Sequence, residues 1–453
     1  MTAGDFLFNQ AVVRALDFIA RDPENNLEKL ISIGERLALN PDHKDIVAAV
    51  KRVLSEDTIW KDYTVKLLQN TTPRVRNRLG VNFFVNAFFK GVPKQFQLRD
   101  ELGFSVPFAL LIDPTSACNL NCTGCWASDY SRTENLDVDL LERILDEARE
   151  LGIYFILYSG GEPLIRKKDL LYLAEKFDDM AFLAFTNGTL VDDAFADALA
   201  DVGNFTLAFS LEGFAESTDR RRGQGVFDKI MKGMDRLSRR GVIFGASTTY
   251  NRQNTEEVGS NAYMDMLVEK GCAYNWYFTY IPIGQDFDLD LMATPAQRAF
   301  MYHQVRYFRQ TKPIFNLDFW NDGKPIEGCI AGGRRYLHIN AAGDVEPCAF
   351  IHYATDNIKN KSLRQVLESP LFAAYQRRMP FNDNHLRPCP LIDNPETLPE
   401  MVLESGAYST QEKCQHEPEQ LAKALGQYAR EWGDIAEKLK RSHELPLELA
   451  QSL

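Results

Sequence analysis

The chain has 453 residues, 45% of them hydrophobic and 25% charged, with a formal charge of −12 at pH 7. That length implies one large core with appendages, or two to three domains. The acidic balance, without a basic block, argues against a primary nucleic-acid binder.

The N-terminus, MTAGDFLFNQAVVRALDF, lacks the basic region, apolar core and small-residue cleavage site of a secretory signal. No apolar run approaches the roughly 20 residues that span a bilayer. Eight cysteines in such a chain fit a reducing, cytoplasmic setting and metal or redox chemistry, not a disulfide framework. For any one of them alone, a buried small hydrophobe is the competing reading.

Residues 1–104 read as a helical region. Apolar residues recur at helical spacing in NQAVVRALDFIA, LEKLISIGERLAL and DIVAAVKRVL, with breaks at Asp22-Pro23 and Asn40-Pro41. The stretch NFFVNAFF, Asn82 to Phe89, is rich in aromatics and precedes Lys90. It reads as a helix packed on the main domain, or as a face in peripheral contact with a membrane.

Across residues 105–310 short apolar runs alternate with amphipathic stretches. The runs are Phe108–Ile112, Tyr154–Tyr158, Ala181–Phe185, Phe205–Ser210, Val242–Thr248 and Tyr274–Ile281. Strands separated by helices imply an α/β fold with a parallel sheet, since parallel neighbours need helical crossovers. The strand ends carry Gly, Asn, Ser and Cys, at the rim where βα barrels bind ligands. Residues 311–414 are loop-rich, with Pro370, Pro380, Pro388, Pro390 and Pro395 and four cysteines, and read as a small metal-stapled domain. Residues 415–453 hold a charged amphipathic helix that packs back on the body or mediates assembly.

The segment after the first strand places Cys118, Cys122 and Cys125 as Cys-x3-Cys-x2-Cys. Three thiolates on one short loop can each hold one iron of a cubane and leave the fourth iron open to a ligand. Structural zinc competes, but it wants four closed ligands, usually in Cys-x2-Cys pairs. The second run ends in Ser159-Gly160-Gly161-Glu162-Pro163. A glycine pair admits close backbone approach, and a carboxylate suits an ammonium partner.

These motifs resemble the radical S-adenosylmethionine (SAM) superfamily, in its cysteine signature and its Gly-Gly-Glu-Pro motif. The resemblance implies a partial (β/α)6 barrel, a [4Fe–4S] cluster on Cys118, Cys122 and Cys125, and SAM as cofactor. It assigns Gly160, Gly161, Glu162 and Pro163 to the methionine amino group. Ser210 and Glu212, in Ser-Leu-Glu-Gly, fall where relatives bind the ribose, and Arg222, in Asp-x-x-Arg-Gly, would meet the SAM carboxylate. Asn187 and Asn251 end the third and fifth strands on the same rim. Each of these motifs also has a reading as capping or turn chemistry. Many members carry an aromatic residue directly before the third cysteine, where this chain has Gly124, with Trp126 just after.

Cys329 and Cys348 flank Gly343 in CIAGGRRYLHINAAGDVEPC, which reads as strand, turn and returning strand. This resembles the opening of the SPASM and twitch extensions, which carry auxiliary clusters, although the dense Cys-x2-Cys-x5-Cys run of a full SPASM pattern is absent. With Cys389 and Cys414 it implies a second, auxiliary [4Fe–4S] cluster; zinc with His352 or His385 is the alternative. Cys272 reads as an unligated buried thiol.

The resemblance implies reductive cleavage of SAM, with an electron donor such as flavodoxin or ferredoxin, and hydrogen abstraction from a substrate. The substrate is a lipid or small metabolite, or a peptide, and no catalytic side chain is assigned. A non-catalytic iron–sulfur electron carrier or scaffold is the reading from another class.

Overall fold

The computed structural model describes residues 3–37, 48, 51, 54, 59–284, 287–412 and 417–444. Its described N-terminal residues are mainly helical as far as Leu102, where Gly103, in the left-handed region at φ 78°, ends the run; most of the expected helix DIVAAVKRVL lies outside the described residues. Within it, Gly80–Gly91 forms a wide π-helix. Asn82 and Asn86 dock this helix on the turn before the third strand. Asn82 Nδ2 donates to the Asp178 and Met180 carbonyls at 2.8 and 2.7 Å, and Asn86 Nδ2 to that of Asp179 at 2.9 Å. Phe83 packs edge-on to Phe155, 5.1 Å away. Phe84, Phe88 and Phe89 face solvent, at 60%, 46% and 60% exposure.

The six expected strands all form: β1 (Ala109–Ile112), β2 (Phe155–Tyr158), β3 (Ala181–Thr186), β4 (Phe205–Leu211), β5 (Phe244–Tyr250) and β6 (Tyr274–Thr279). They pair in parallel and in sequence order. Ile112, Tyr158, Phe182 and Phe209 point to the outer helices, whereas Leu111, Leu157, Leu183 and Ala208 face inward. Burial on both faces is what selects continuous apolar runs over alternating ones.

The sheet is wider than the six runs predict. β7 (Phe315–Asp318) pairs in parallel with β6, and β8 (Tyr336–Ile339) pairs in parallel with β1 on the opposite edge. The short β9 (Val345–Glu346) returns antiparallel to β8, as the hairpin pattern predicted. The segment from 311 therefore grows out of both edges of the barrel sheet. An unpaired β1 edge would leave a row of buried backbone donors and acceptors, and β8 satisfies them.

The last helix, Pro418–Glu444, packs back on the body against helix Pro295–Thr311. Trp432 is fully buried, donating to the Leu386 carbonyl at 2.8 Å. The Arg298 guanidinium lies 4.1 Å from its ring centre and pairs with Asp393 at 2.5 Å. Among the described residues no helix is long and apolar enough to cross a membrane.

Candidate cluster and cofactor sites

The cysteine loop leaves β1 at Asp113 and is pinned from three sides. From β2, the Gly161 and Glu162 amides donate to the Thr115 and Ala117 carbonyls at 3.0 and 2.8 Å. A Cβ on Gly160 would stand 2.5 Å from the Thr115 carbonyl oxygen, and one on Gly161 would overlap that of Ala117. The glycine pair, expected to admit a ligand, here lets the cysteine loop pass against the strand end. From β3, Asn187 Nδ2 donates to Asn119 Oδ1 at 2.8 Å, within the loop itself. From helix Ala215–Arg222, Arg221 donates to the Thr123 and Gly124 carbonyls at 3.1 and 3.3 Å.

Glu162 is held rigidly. Its carboxylate accepts from the Leu164 amide, the Thr186 hydroxyl and the Asn187 amide at 3.0, 2.7 and 2.8 Å. Pro163 opens the short 3-10 turn that Glu162 caps. Burial pushes the Glu162 carboxyl up from its ordinary pKa despite these three donors.

Glu212 is 1% exposed and joins two guanidiniums, Arg221 and Arg222, each at 2.6 Å from Oε1. Arg222, expected to meet a SAM carboxylate, is paired here with Glu212. The second oxygen, Glu212 Oε2, is buried with no hydrogen-bond partner. An orphaned carboxylate oxygen at this rim has the chemistry to accept from a ribose hydroxyl. Ser210, half-buried, lies on the same inward face of β4 as Ala208. Asn251 instead caps the turn after β5, its Oδ1 accepting from the Gln253 amide at 2.8 Å.

The three loop thiols stand close enough to act on one another. Burial, and then the Glu162, Cys122 and Cys125 charges, push Cys118 up to about 11; burial and Cys122 also raise Cys125. Such thiols remain protonated until a metal displaces the proton, which fits a cluster-binding donor set. Among the described residues no three His, Cys, Asp or Glu side chains converge on a single-ion point. Gly124 is left-handed at φ 63°, and a Cβ there would stand 2.6 Å from Tyr280 Cε2. The Tyr280 ring thus occupies the space beside Gly124, next to the third cysteine.

Cys329, Cys348 and Cys389 meet at a second site. They line one cavity together with Phe319, Trp320 and Tyr375. Tyr336 donates to Cys348 Sγ at 2.6 Å. Burial pushes Cys348 up to about 12 and Cys389 to about 11. Cys414 lies outside the described residues. His352 Nε2 donates to the Ala349 carbonyl at 3.0 Å. Cys272 is buried in the outer core, as an unligated thiol would be.

Between the two sites runs a belt of rings: Phe185, Trp276, Phe278, Phe319, Trp320, Phe350 and Trp126. Neighbouring centroids are 5.0 to 6.1 Å apart, ending with Phe350 to Trp126 at 6.1 Å. All but Trp320 are half-buried. Behind it, His338 of β8 is clamped between Asp113 and Glu346. Sequence reasoning missed Arg221, Tyr280, Tyr336, His338 and Tyr375; only Arg221, beside Arg222, carried a local signal.

A barrel of this topology, carrying a three-cysteine rim loop and a second thiol cavity, defines an iron–sulfur enzyme. The radical SAM superfamily model matches residues 112–260, and the SPASM iron–sulfur cluster-binding domain matches 329–390. The chain belongs to the radical SAM superfamily and carries a C-terminal SPASM domain. It is a radical SAM enzyme that works with a SAM-binding [4Fe–4S] cluster and auxiliary iron–sulfur chemistry. An AdoMet-dependent heme synthase of Methanosarcina barkeri is 25% identical over 294 residues, 58% of this chain and 83% of that one. An Fe-coproporphyrin III synthase of the same organism is 35% identical over 161 residues, 34% and 40% of the two chains. Mycofactocin maturase MftC of Mycolicibacterium smegmatis is 27% identical over 263 residues, 55% and 66%. The solved structure of Streptococcus suis SuiB bound to its precursor peptide SuiA shares the fold. Its TM-score is 0.53 at 19% identity, over 63% of this chain and 70% of that one.

Proposed function

We propose that this enzyme removes a hydrogen atom from an apolar substrate, a lipid chain or small apolar metabolite, lying against the aromatic belt between the two cysteine sites. The carrying observation is the belt itself: six half-buried rings joined in one run of contacts, a surface that suits an apolar substrate better than a peptide backbone with its obligatory hydrogen bonds.

In this reading Cys118, Cys122 and Cys125 hold the SAM cluster, while Cys329, Cys348 and Cys389, with Cys414, hold the auxiliary one. When bound, the first cluster supplies one-electron cleavage of SAM to methionine and a 5′-deoxyadenosyl radical. Glu212 Oε2 would accept from the ribose, Glu162 and the Gly160–Gly161 turn would bound the amino-group side, and Arg222 would meet the SAM carboxylate. The belt excludes water from the reacting centre. An external donor such as flavodoxin or ferredoxin provides the electron. The exposed Phe84, Phe88 and Phe89 beside Lys90 add a surface for peripheral membrane contact, where an apolar substrate would be found.

Anaerobic enzyme with SAM and dithionite, offered phospholipids with perdeuterated acyl chains, should transfer deuterium into 5′-deoxyadenosine above a Cys122→Ala control. Transfer from deuterated peptides but from no deuterated lipid or small apolar compound would sink this reading.

A further inference from the structure

Tyr375 is fully buried, and its hydroxyl has no hydrogen-bond partner among the described residues. Leaving a buried hydroxyl unsatisfied is destabilising, so its position calls for a physical reason. Helix Pro370–Arg378 carries the ring into the cavity lined by Cys329, Cys348 and Cys389. All three thiols act on it electrostatically.

The placement is built by neighbouring residues. Gly332 follows Cys329 by three positions in the left-handed region, at φ 64°, and a Cβ there would stand 2.6 Å from Tyr375 Cδ1. A Cβ on Gly333 would stand 3.0 Å from Phe372, on the same helix. The glycine pair therefore lets this helix approach the turn that bears Cys329. Phe381 holds the Tyr375 ring edge-on at 5.4 Å. A second buried phenol, Tyr336, already donates to Cys348 Sγ.

We propose that Tyr336 and Tyr375 are a pair of hydrogen-bond donors to the auxiliary centre, Tyr336 to the Cys348 thiolate and Tyr375 to a sulfur of the bound cluster. Together they hold its reduction potential up. The inference rests on the assignment of the auxiliary cluster to Cys329, Cys348 and Cys389. A phenol is protonated at neutral pH and can only donate to a negatively charged sulfur. Reduction adds negative charge to the cluster, so such donors stabilise the reduced state more than the oxidised one. A ligand role would require a phenolate, which burial disfavours.

The test is an EPR-monitored redox titration of the anaerobically reconstituted full chain. The SAM-cluster signal is identified by its change when SAM is added. Tyr375→Phe and Tyr336→Phe should each move the auxiliary midpoint to a more negative potential, and the double variant further, with iron content and the SAM-cluster midpoint unchanged. Tyr158→Phe, which removes an orphaned hydroxyl from the outer core, should move neither. An unshifted auxiliary midpoint in Tyr375→Phe at full iron content would overturn the proposal. So would loss of auxiliary iron in that variant, which would mark Tyr375 as a ligand. An auxiliary signal that survives in Cys329→Ala would instead refute the cluster assignment beneath it.

Discussion

His338 Nε2 lies 2.9 Å from the Asp113 carboxylate, with both side chains buried. This ion pair joins β8 of the SPASM segment to the residue that starts the cysteine loop. It is close but outside hydrogen-bond geometry, whereas Nδ1 meets Glu346 at 2.6 Å. Ser159 donates to Asp113 at 2.7 Å, and Tyr130 to Glu346 at 2.9 Å. One buried charge cluster thus links the start of the first cysteine loop to the β8–β9 hairpin that leads to Cys348.

Removing the imidazolium would leave two buried carboxylates without their cation. His338→Ala should cost about 3–5 kcal/mol of stability, read as a shift in the denaturant midpoint. A cost below about 1 kcal/mol would mean that the cluster relaxes or takes up protons instead.

The same histidine sets a pH dependence. Burial lowers its pKa, but Asp113 and Glu346 overcome that and raise it to about 10, against about 6.5 in the unfolded chain. A raised folded-state pKa gives stability that is full below about 6.5 and lost as pH rises through about 10. The stability gap between wild type and His338→Gln should narrow between pH 7 and pH 10. A constant gap in denaturation curves across that range would rule out a charged His338.

Glu212 carries a second expectation. Glu212→Gln removes the charge shared by Arg221 and Arg222 and changes the free oxygen at the rim. Losing a charge-assisted hydrogen bond, about 1.5–3 kcal/mol, should weaken SAM binding about tenfold or more. Iron content of the first site should persist. Equilibrium binding of SAM to reconstituted enzyme reads this, and unchanged affinity would remove Glu212 from the cofactor site.

The loop's close passage makes a prediction about metal content. Gly161→Ala forces a Cβ onto the Ala117 carbonyl, displacing the loop that carries Cys118. The variant should lose iron from the SAM site alone, about half of the eight irons implied by two [4Fe–4S] clusters. Full iron with normal SAM-dependent EPR changes would show that the loop tolerates the shift.

The exposed phenylalanines can be tested without turnover. Replacing Phe84 and Phe89 with Ser should abolish co-sedimentation with vesicles containing anionic phospholipid while leaving thermal stability nearly unchanged, since both are 60% exposed. Wild-type protein that stays in the supernatant would exclude this membrane contact.

The amino-acid sequence by itself determined the six barrel strands, the cysteine loop and the Gly-Gly-Glu-Pro turn. Apolar periodicity and short-range spacing are local properties, and a loop of three cysteines needs no distant partner to be recognised. Only the tertiary structure decided that Tyr280 fills the space beside Gly124 and that Arg222 rests on Glu212. It also decided that β7 and β8 extend the barrel sheet. The pairing of Ala109 with Tyr336 and the ion pair of Asp113 with His338 join residues more than two hundred positions apart. Such contacts are selected by the shape and unpaired hydrogen-bonding groups of a surface that exists only after the chain has folded.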